Sequence, residues 1–399
     1  MIQSNSIEKL LDGIEGVKWE NIKNVIQLKR GKRVVRSQLE ESGEYAVYQN
    51  SLVPLGYYTE SNVESNTAFI VTAGAAGDIG YSVDTFWAAD DVYYCTTPEY
   101  INSKYLYYFL LTQRHKISSQ VRRASIPRLS KSAIEQLVIP IPSLQTQTKI
   151  VSILDTFSKL TQESSQELAQ ELVSRKKQYD YYRDKLLQFE GKQVDLSLLG
   201  DIGHFTYGYA AKAQEAGDAR FVRITDINND GKLKKSDPKY VDTSDKNDKY
   251  LLRKNDLLMA RTGATYGKTM IFEQDYPAIY AGFLIKLSLD YEIINPRYYW
   301  HFAQSGLFWA QANKLVSGGG QPQFNANALK QVRLPIPYPN DAKRSLSEQK
   351  RIVMALDKLD KLMSSIKEEL SIEITLRQKQ YDYYLELLFN FPKPEDVET

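Results

Sequence analysis

The sequence predicts an α+β protein. Two mixed α/β domains are separated by two long, antiparallel, coiled-coil-like helices, with a pseudo-twofold internal repeat. Three observations carry this. Arg175-Lys-Lys-Gln-Tyr-Asp-Tyr-Tyr182 returns 202 residues later as Arg377-Gln-Lys-Gln-Tyr-Asp-Tyr-Tyr384. Apolar residues around both copies recur at alternating steps of three and four, which is coiled-coil spacing. The stretches ahead of the two copies align with each other through strand-like runs, glycine turns and short helices.

The repeat is long and ungapped. Extended to Phe189 and Phe391, 9 of 15 positions are identical, and Ile150-Val-Ser-Ile-Leu-Asp155 matches Ile352-Val-Met-Ala-Leu-Asp357 at the same offset. The second seam runs Ile352, Leu356, Leu359, Met363, Ile366, Leu370, Ile374, Arg377, Tyr381, Tyr384, Leu388. One extra step of four lies near Ile374, where Glu373 holds the heptad position. The first runs Ile150, Leu154, Phe157, Thr161, Ser164, Leu168, Leu172, Arg175, Tyr179, Tyr182, Leu186. At about 1.5 Å per residue each helix spans roughly 60 Å. Ser345 and Glu348 have capping-box spacing. Pro140, Pro142, Pro335 and Pro337 stand ahead of the helix starts, and Pro392 follows the second end.

In chain order, residues 1–16 read as a lead-in and Val17 to Pro142 as the first variable block. Ser143 to Phe189 is the first helix, Val194 to Pro339 the second block, and Ser345 to Phe391 the second helix. The acidic tail from Pro392 reads as disordered. Val17–Gly31 aligns with Val194–Gly208 at an offset of 177. Phe69–Gly80 aligns with Leu257–Gly267 as apolar strand, glycine-rich turn, strand. Ile126-Pro-Arg-Leu-Ser aligns with Gln321-Pro-Gln-Phe-Asn at 195. Asn102–Gln120 and Asn295–Lys314 read as helical. The offset climbs through the blocks and is fixed along the helices, because insertions collect in loops.

Composition narrows the class. A 399-residue chain that is 42% apolar and 25% charged fits a soluble protein of two or three domains. There is no 18-residue apolar run and no signal-like start, so a reducing cytoplasm is the expected location. One cysteine excludes internal disulfides and a cysteine-rich zinc site, and the three histidines have no metal-pair spacing. The net charge of +2 is too small to argue for nucleic acid by itself. The 28 tyrosines suit wet interfaces, and six lie in the two copies of the motif.

No catalytic centre emerges and no cofactor is expected. Gly263–Thr269 is one residue short of a phosphate loop and is followed by a strand, so it reads as a β-turn. Gly318-Gly-Gly320 has no dinucleotide fingerprint. Asn295-Pro-Arg-Tyr298 lacks the second proline of an adenine methyltransferase motif. Basic residues are locally dense: Lys29, Arg30, Lys32, Arg33 and Arg36, then Arg122, Arg123 and Arg128. In the second block Arg220, Arg223, Arg261 and Lys268 fall at strand ends or turns. Gln321 and Gln323 occupy the stretch that aligns with Arg128. Such residues neutralise phosphates or reach base edges, making these the DNA-binding candidates. By themselves they also fit a coiled-coil scaffold that joins two protein-binding domains without touching DNA.

The order of parts resembles the specificity subunit of type I restriction-modification systems. The likeness rests on Arg175–Leu187, Glu348-Gln-Lys-Arg-Ile-Val353, Phe221-Val-Arg-Ile-Thr-Asp-Ile-Asn228, Asp256–Ala264 and Leu334-Pro-Ile-Pro337. It spans nearly the whole chain. Thr146-Gln147 departs from Glu348-Gln349 by losing a carboxylate at the helix start. The resemblance implies a non-catalytic subunit with target-recognition domains at 1–142 and 192–340, and spacer helices at 143–191 and 341–399. Each domain would read one half of an asymmetric split DNA site. The helices would set the gap and dock two modification subunits, which carry S-adenosylmethionine and methylate adenine. ATP-dependent restriction subunits join in some complexes. Tyr179, Tyr182, Leu186, Tyr381, Tyr384 and Leu388 are the expected subunit-interface residues.

Overall fold

The computed structural model describes residues 16–123, 125–189 and 193–392. The sequence's acidic tail beyond Pro392 and all but the end of its lead-in lie outside the described residues. The chain divides into two compact units, Met1–Leu168 with Ser371–Thr399, and Ala169–Leu370. Each unit holds one variable block and one half of each long helix.

The first unit begins with β1 (Lys18–Asn21), a one-turn α1 (Ile22–Val25) and β2 (Gln27–Arg30). Then come β3 (Tyr45–Tyr48), β4 (Gly56–Tyr58), β5 (Thr67–Val71), β6 (Ile79–Ser82), β7 (Phe86–Ala88) and β8 (Val92–Thr96). Helices α2 (Ser103–Thr112), α3 (Arg114–Ser119) and α4 (Lys131–Glu135) lead to β9 (Val138–Ile141) and the long α5 (Leu144–Gln188). The strands make a β1-β9 pair, a four-stranded sheet ordered β2-β8-β5-β6, and a three-stranded sheet ordered β4-β3-β7.

The second unit repeats this plan. It contains β10 (Val194–Leu198), β11 (Gly203–Tyr207), β12 (Ala219–Val222), β13 (Tyr240–Val241), β14 (Leu257–Ala260), β15 (Thr269–Ile271), β16 (Ala278–Tyr280) and β17 (Leu284–Leu289). Then follow α6 (Pro296–Ala303), α7 (Gly306–Leu315), α8 (Ala326–Lys330), β18 (Arg333–Pro337) and α9 (Ala342–Leu388). The sheets are β10-β18, β11-β17-β14-β15 and β13-β12-β16. Strand for strand this is the topology of the first unit, down to the parallel pairing of β3 with β7 and of β12 with β16.

Local chemistry explains the elements. β5 and β14 are buried along their whole length, as their unbroken apolar runs require. The Asn102 side chain caps α2 by accepting from the backbone N–H groups of Lys104 and Tyr105. Asn295 caps α6 with Pro296 in its first turn, so the Asn-Pro-Arg-Tyr run is a helix start. Pro140 and Pro335 lie inside β9 and β18. Among the described residues each of these strands pairs with one other strand, so the missing N–H falls on the edge away from that partner. Gly31 and Gly208 end the aligned first segments. A Cβ at either would lie 2.2 or 2.3 Å from a carbonyl oxygen, so only glycine lets the backbones meet.

The long helices run antiparallel within each unit. Phe157 stacks on Tyr384 at 4.5 Å in the first, and Leu172, Tyr179, Asp360 and Met363 line one cleft in the second. In the first unit's core, Ile150 and Leu154 of α5 and Leu385 and Leu388 of α9 pack with Tyr105 and Phe109 of α2. In the second, Leu187 of α5 and Ile352 and Leu356 of α9 pack with Tyr298, Phe302 and Phe308. Each such buried side chain contributes about 1.5–3 kcal/mol. A carboxylate of the long helix is clamped in both units. Asp155 receives Lys104 and the Tyr108 hydroxyl at 2.8 and 2.6 Å. Asp357 receives Arg297 at 3.2 Å and His301 Nε2 at 2.9 Å.

Two details differ from the sequence expectation. Helix α9 starts a turn ahead of the Ser345–Glu348 pair, because Asp341 accepts from the Arg344 N–H and caps it there. Arg175 and Arg377 fall on the seam but are exposed, and each turns back to a carboxylate one turn earlier, Glu171 and Glu373. Among the described residues, no helix is long and apolar enough to cross a membrane.

Candidate nucleic-acid interface

In each unit a loop returns alongside the end of the central strand. In the first, Arg122 and Arg128 exchange backbone hydrogen bonds of 2.9 and 3.1 Å, and Leu129 N–H donates to Thr72 O just past β5. In the second, Ser317 and Gln323 exchange bonds of 3.0 and 2.7 Å, and Phe324 N–H donates to Arg261 O just past β14. Arg128 and Gln323 therefore hold the same backbone position, as their alignment at 195 requires. Their side chains differ: Arg128 is exposed, while Gln323 Nε2 donates to Thr262 Oγ1 at 2.9 Å.

The other basic candidates take varied positions. Lys29, Lys32, Arg33 and Arg36 are exposed on β2 and the segment after it, and Arg122 and Arg123 are exposed in the return loop. Arg30 is exposed and its Nε donates to Asp90 O at 2.7 Å. Arg220 is only 5% exposed, its guanidinium 3.5 Å from Asp226, with Nε lacking a partner among the described residues. Arg223 binds the same carboxylate through Nε and Nη2. The Asp226 hydrogen bond holds the Arg223 guanidinium above its ordinary pKa. Lys268 donates to Asn229 at 2.8 Å, and Gln321 is exposed.

The structure brings part of this set together. A cleft of about 750 Å³ in the second unit is lined by Arg223, Arg261, Lys212, Tyr209 and Phe283. Arg220 and Lys268 do not line it. Arg261 Nε donates to Gly282 O at 3.2 Å, and its guanidinium lies 5.1 Å from the Tyr207 ring and 5.4 Å from the Phe283 ring. Both rings are well exposed, at 45% and 56%. Sequence reading missed them; their only signal was the excess of tyrosine and the glycine beside Phe283. Positive charge, planar donors and exposed aromatic faces can together engage phosphates, base edges and stacked bases.

The six helix residues also separate. Leu388 is fully buried, Tyr179 is buried, and Leu186 packs partly buried against the second unit's core. Tyr381 and Tyr384 are half-buried in the first unit, whereas Tyr182 is exposed. Among the described residues no group of three or more histidine, cysteine or acidic side chains is placed to hold a metal. Cys95 is buried, which pushes its thiol up to about 12.

The family described as "Type I restriction modification DNA specificity domain" matches residues 15–173 and 192–376. A chain of Haemophilus influenzae described as a type I restriction enzyme specificity subunit is 32% identical, covering 96% of this chain and 98% of its own. The specificity subunit of a type I restriction enzyme of Escherichia coli is 30% identical over all of both chains. A chain solved in work on "complex assembly and conformational transition of the type I R-M system" shares the fold, with a TM-score of 0.70 at 14% identity. That match covers 94% of this chain and 98% of the solved one.

Proposed function

We propose that this chain, which belongs to the type I restriction-modification DNA specificity family, reads a split, asymmetric DNA site with one half assigned to each module. The family is the DNA specificity component of the type I complex and not its catalytic part. The blocks at 1–142 and 192–340 are the reading modules. The segments at 143–191 and 341–399 are the spacer that separates the half-sites and docks two adenine-modifying subunits, with restriction subunits joining them. The cytoplasm, where the DNA lies, is the working location.

The observation that carries this reading is the duplicated frame with unequal side chains. The return loops at 122–128 and 317–323 have the same hydrogen-bond pattern, but one offers Arg128 and the other Gln323. Equal frames with different donors suit two different half-sites. The two helices present matched exposed residues, Leu160 with Leu362 and Tyr181 with Tyr383, which suits the same partner bound twice. DNA binding by the chain assembled with its modification subunits tests the reading. Affinity that falls steeply with salt and differs between cognate and scrambled duplexes is expected. Absence of DNA binding by the assembled complex favours the scaffold reading instead.

A further inference from the structure

The two modules place an arginine on the same backbone atom from different strands. Equivalent positions follow from matched backbone bonds. Gly31 N–H donates to Val92 O and Lys32 N–H to Ala88 O; Gly208 N–H donates to Leu284 O and Tyr209 N–H to Tyr280 O. Thr72 N–H donates to Asp91 O, and Arg261 N–H to Phe283 O. Asp90 and Gly282 are therefore the same turn residue. The carbonyl of Asp90 accepts from Arg30 Nε at 2.7 Å, and the carbonyl of Gly282 accepts from Arg261 Nε at 3.2 Å. Yet Arg30 comes from β2, whose equivalent is Tyr207, and Arg261 follows β14, whose equivalent is Thr72. Neither arginine substitutes for the other by alignment, so the sequence repeat alone does not produce the coincidence.

We propose that Arg30 and Arg261 are equivalent base-reading residues, one per module, and that each reads a guanine of its half-site in the major groove. The geometry suits guanine. Tying Nε to a carbonyl fixes the guanidinium plane and leaves Nη1 and Nη2 as a parallel pair of donors, which matches guanine O6 and N7. Among the described residues the structure gives those Nη nitrogens no hydrogen-bonding partner. In the second module the Tyr207 and Phe283 rings hold the plane further. A phosphate also takes a planar fork, but only a base contact ties the arginine to one base pair of the motif, and that is what the experiment reads.

This proposal rests on the split-site reading above, and one experiment separates the two. Adenine methylation is mapped in cells carrying this chain and its modification subunits, then with Arg30→Gln and with Arg261→Gln. The wild type should show a split motif with a G·C pair in each half. Each variant should lower discrimination at one G·C position about tenfold or more, in one half only, and the two variants should alter opposite halves. A wild type without a split motif sinks the functional reading, and this proposal with it. With a split motif present, an even loss at every site with the motif unchanged assigns both arginines to phosphates and overturns the proposal. A half without a G·C pair, or both variants altering the same half, overturns it as well. Should a glutamine variant fail to assemble, Arg261→Met and Arg30→Met keep much of the side-chain length and lose every donor. An unchanged motif with methionine then counts against the proposal.

Discussion

Gln349, fully buried in the second turn of α9, accepts a hydrogen bond from the Asn295 backbone N–H at 2.9 Å through Oε1. Its Nε2 donates to Ile293 O at 2.9 Å. Gln147 of α5 does the same in the other unit, taking the Asn102 N–H at 2.9 Å and giving to Tyr100 O at 3.0 Å. One amide thus satisfies two backbone groups at the loop entering α2 or α6, and ties the long helix to its module. Replacing Gln349 with Leu strands a buried donor and acceptor and should cost about 1–3 kcal/mol. Denaturant unfolding of the purified chain measures this; an unchanged midpoint would show the bonds to be dispensable.

The carboxylate clamps differ in a way that pH can expose. Burial holds the His301 imidazole below the ordinary histidine pKa, although the Asp357 carboxylate it touches pulls upward. Below about pH 6.5 the unfolded chain binds a proton that the folded chain resists, so stability should fall as pH drops through that window. The first unit uses Tyr108 on Asp155 at the matching place, and burial raises that hydroxyl's pKa further, so it stays neutral there. His301→Tyr should therefore reduce the acid sensitivity. Unfolding midpoints at about pH 7.5 and about pH 5.5 check it, and equal slopes for both proteins would refute it.

Gly31 and Gly208 mark where two backbones cross. Gly208→Ala forces a Cβ to 2.3 Å from Ala281 O and 2.5 Å from Tyr280 O, with no flexible side chain to yield. The expected loss is about 1–3 kcal/mol, read by thermal or denaturant unfolding. The same change at Gly319, whose Cβ would meet nothing within 4 Å, should be nearly silent.

The matching tyrosines predict separable effects. Tyr182→Asp alters an exposed side chain and should change stability by less than about 0.5 kcal/mol. It should still weaken docking of a modification subunit. Tyr384→Asp also breaks the stack on Phe157, so it should cost stability as well. Complex size on a gel-filtration column, with both substitutions present, reports the docking. An unchanged size would remove these residues from the interface.

The long helices were legible in the sequence because a helix repeats without insertions and leaves its seam in plain spacing. The duplicated sheet topology was only faintly legible. Loops of unequal length separate its short strands, and the offset drifts from 177 to 202 along the blocks. Pattern alone could not separate Arg220, sealed beside Asp226, from Arg128, open to solvent. The meeting of Arg261 with Gly282, or of Arg30 with Asp90, depends on strand pairing and a tight turn rather than on local spacing. Exposed Tyr207 and Phe283 were missed because aromatic residues beside strands are read by default as core.

The most direct test of the central claim is an adenine methylation map made with residues 17–142 exchanged for the corresponding block of another specificity subunit. Two independent reading modules on a common spacer predict that one half of the split motif changes while the other half stays as it was. A change in both halves, or in neither despite an assembled complex, would contradict the assignment of one half-site to each module.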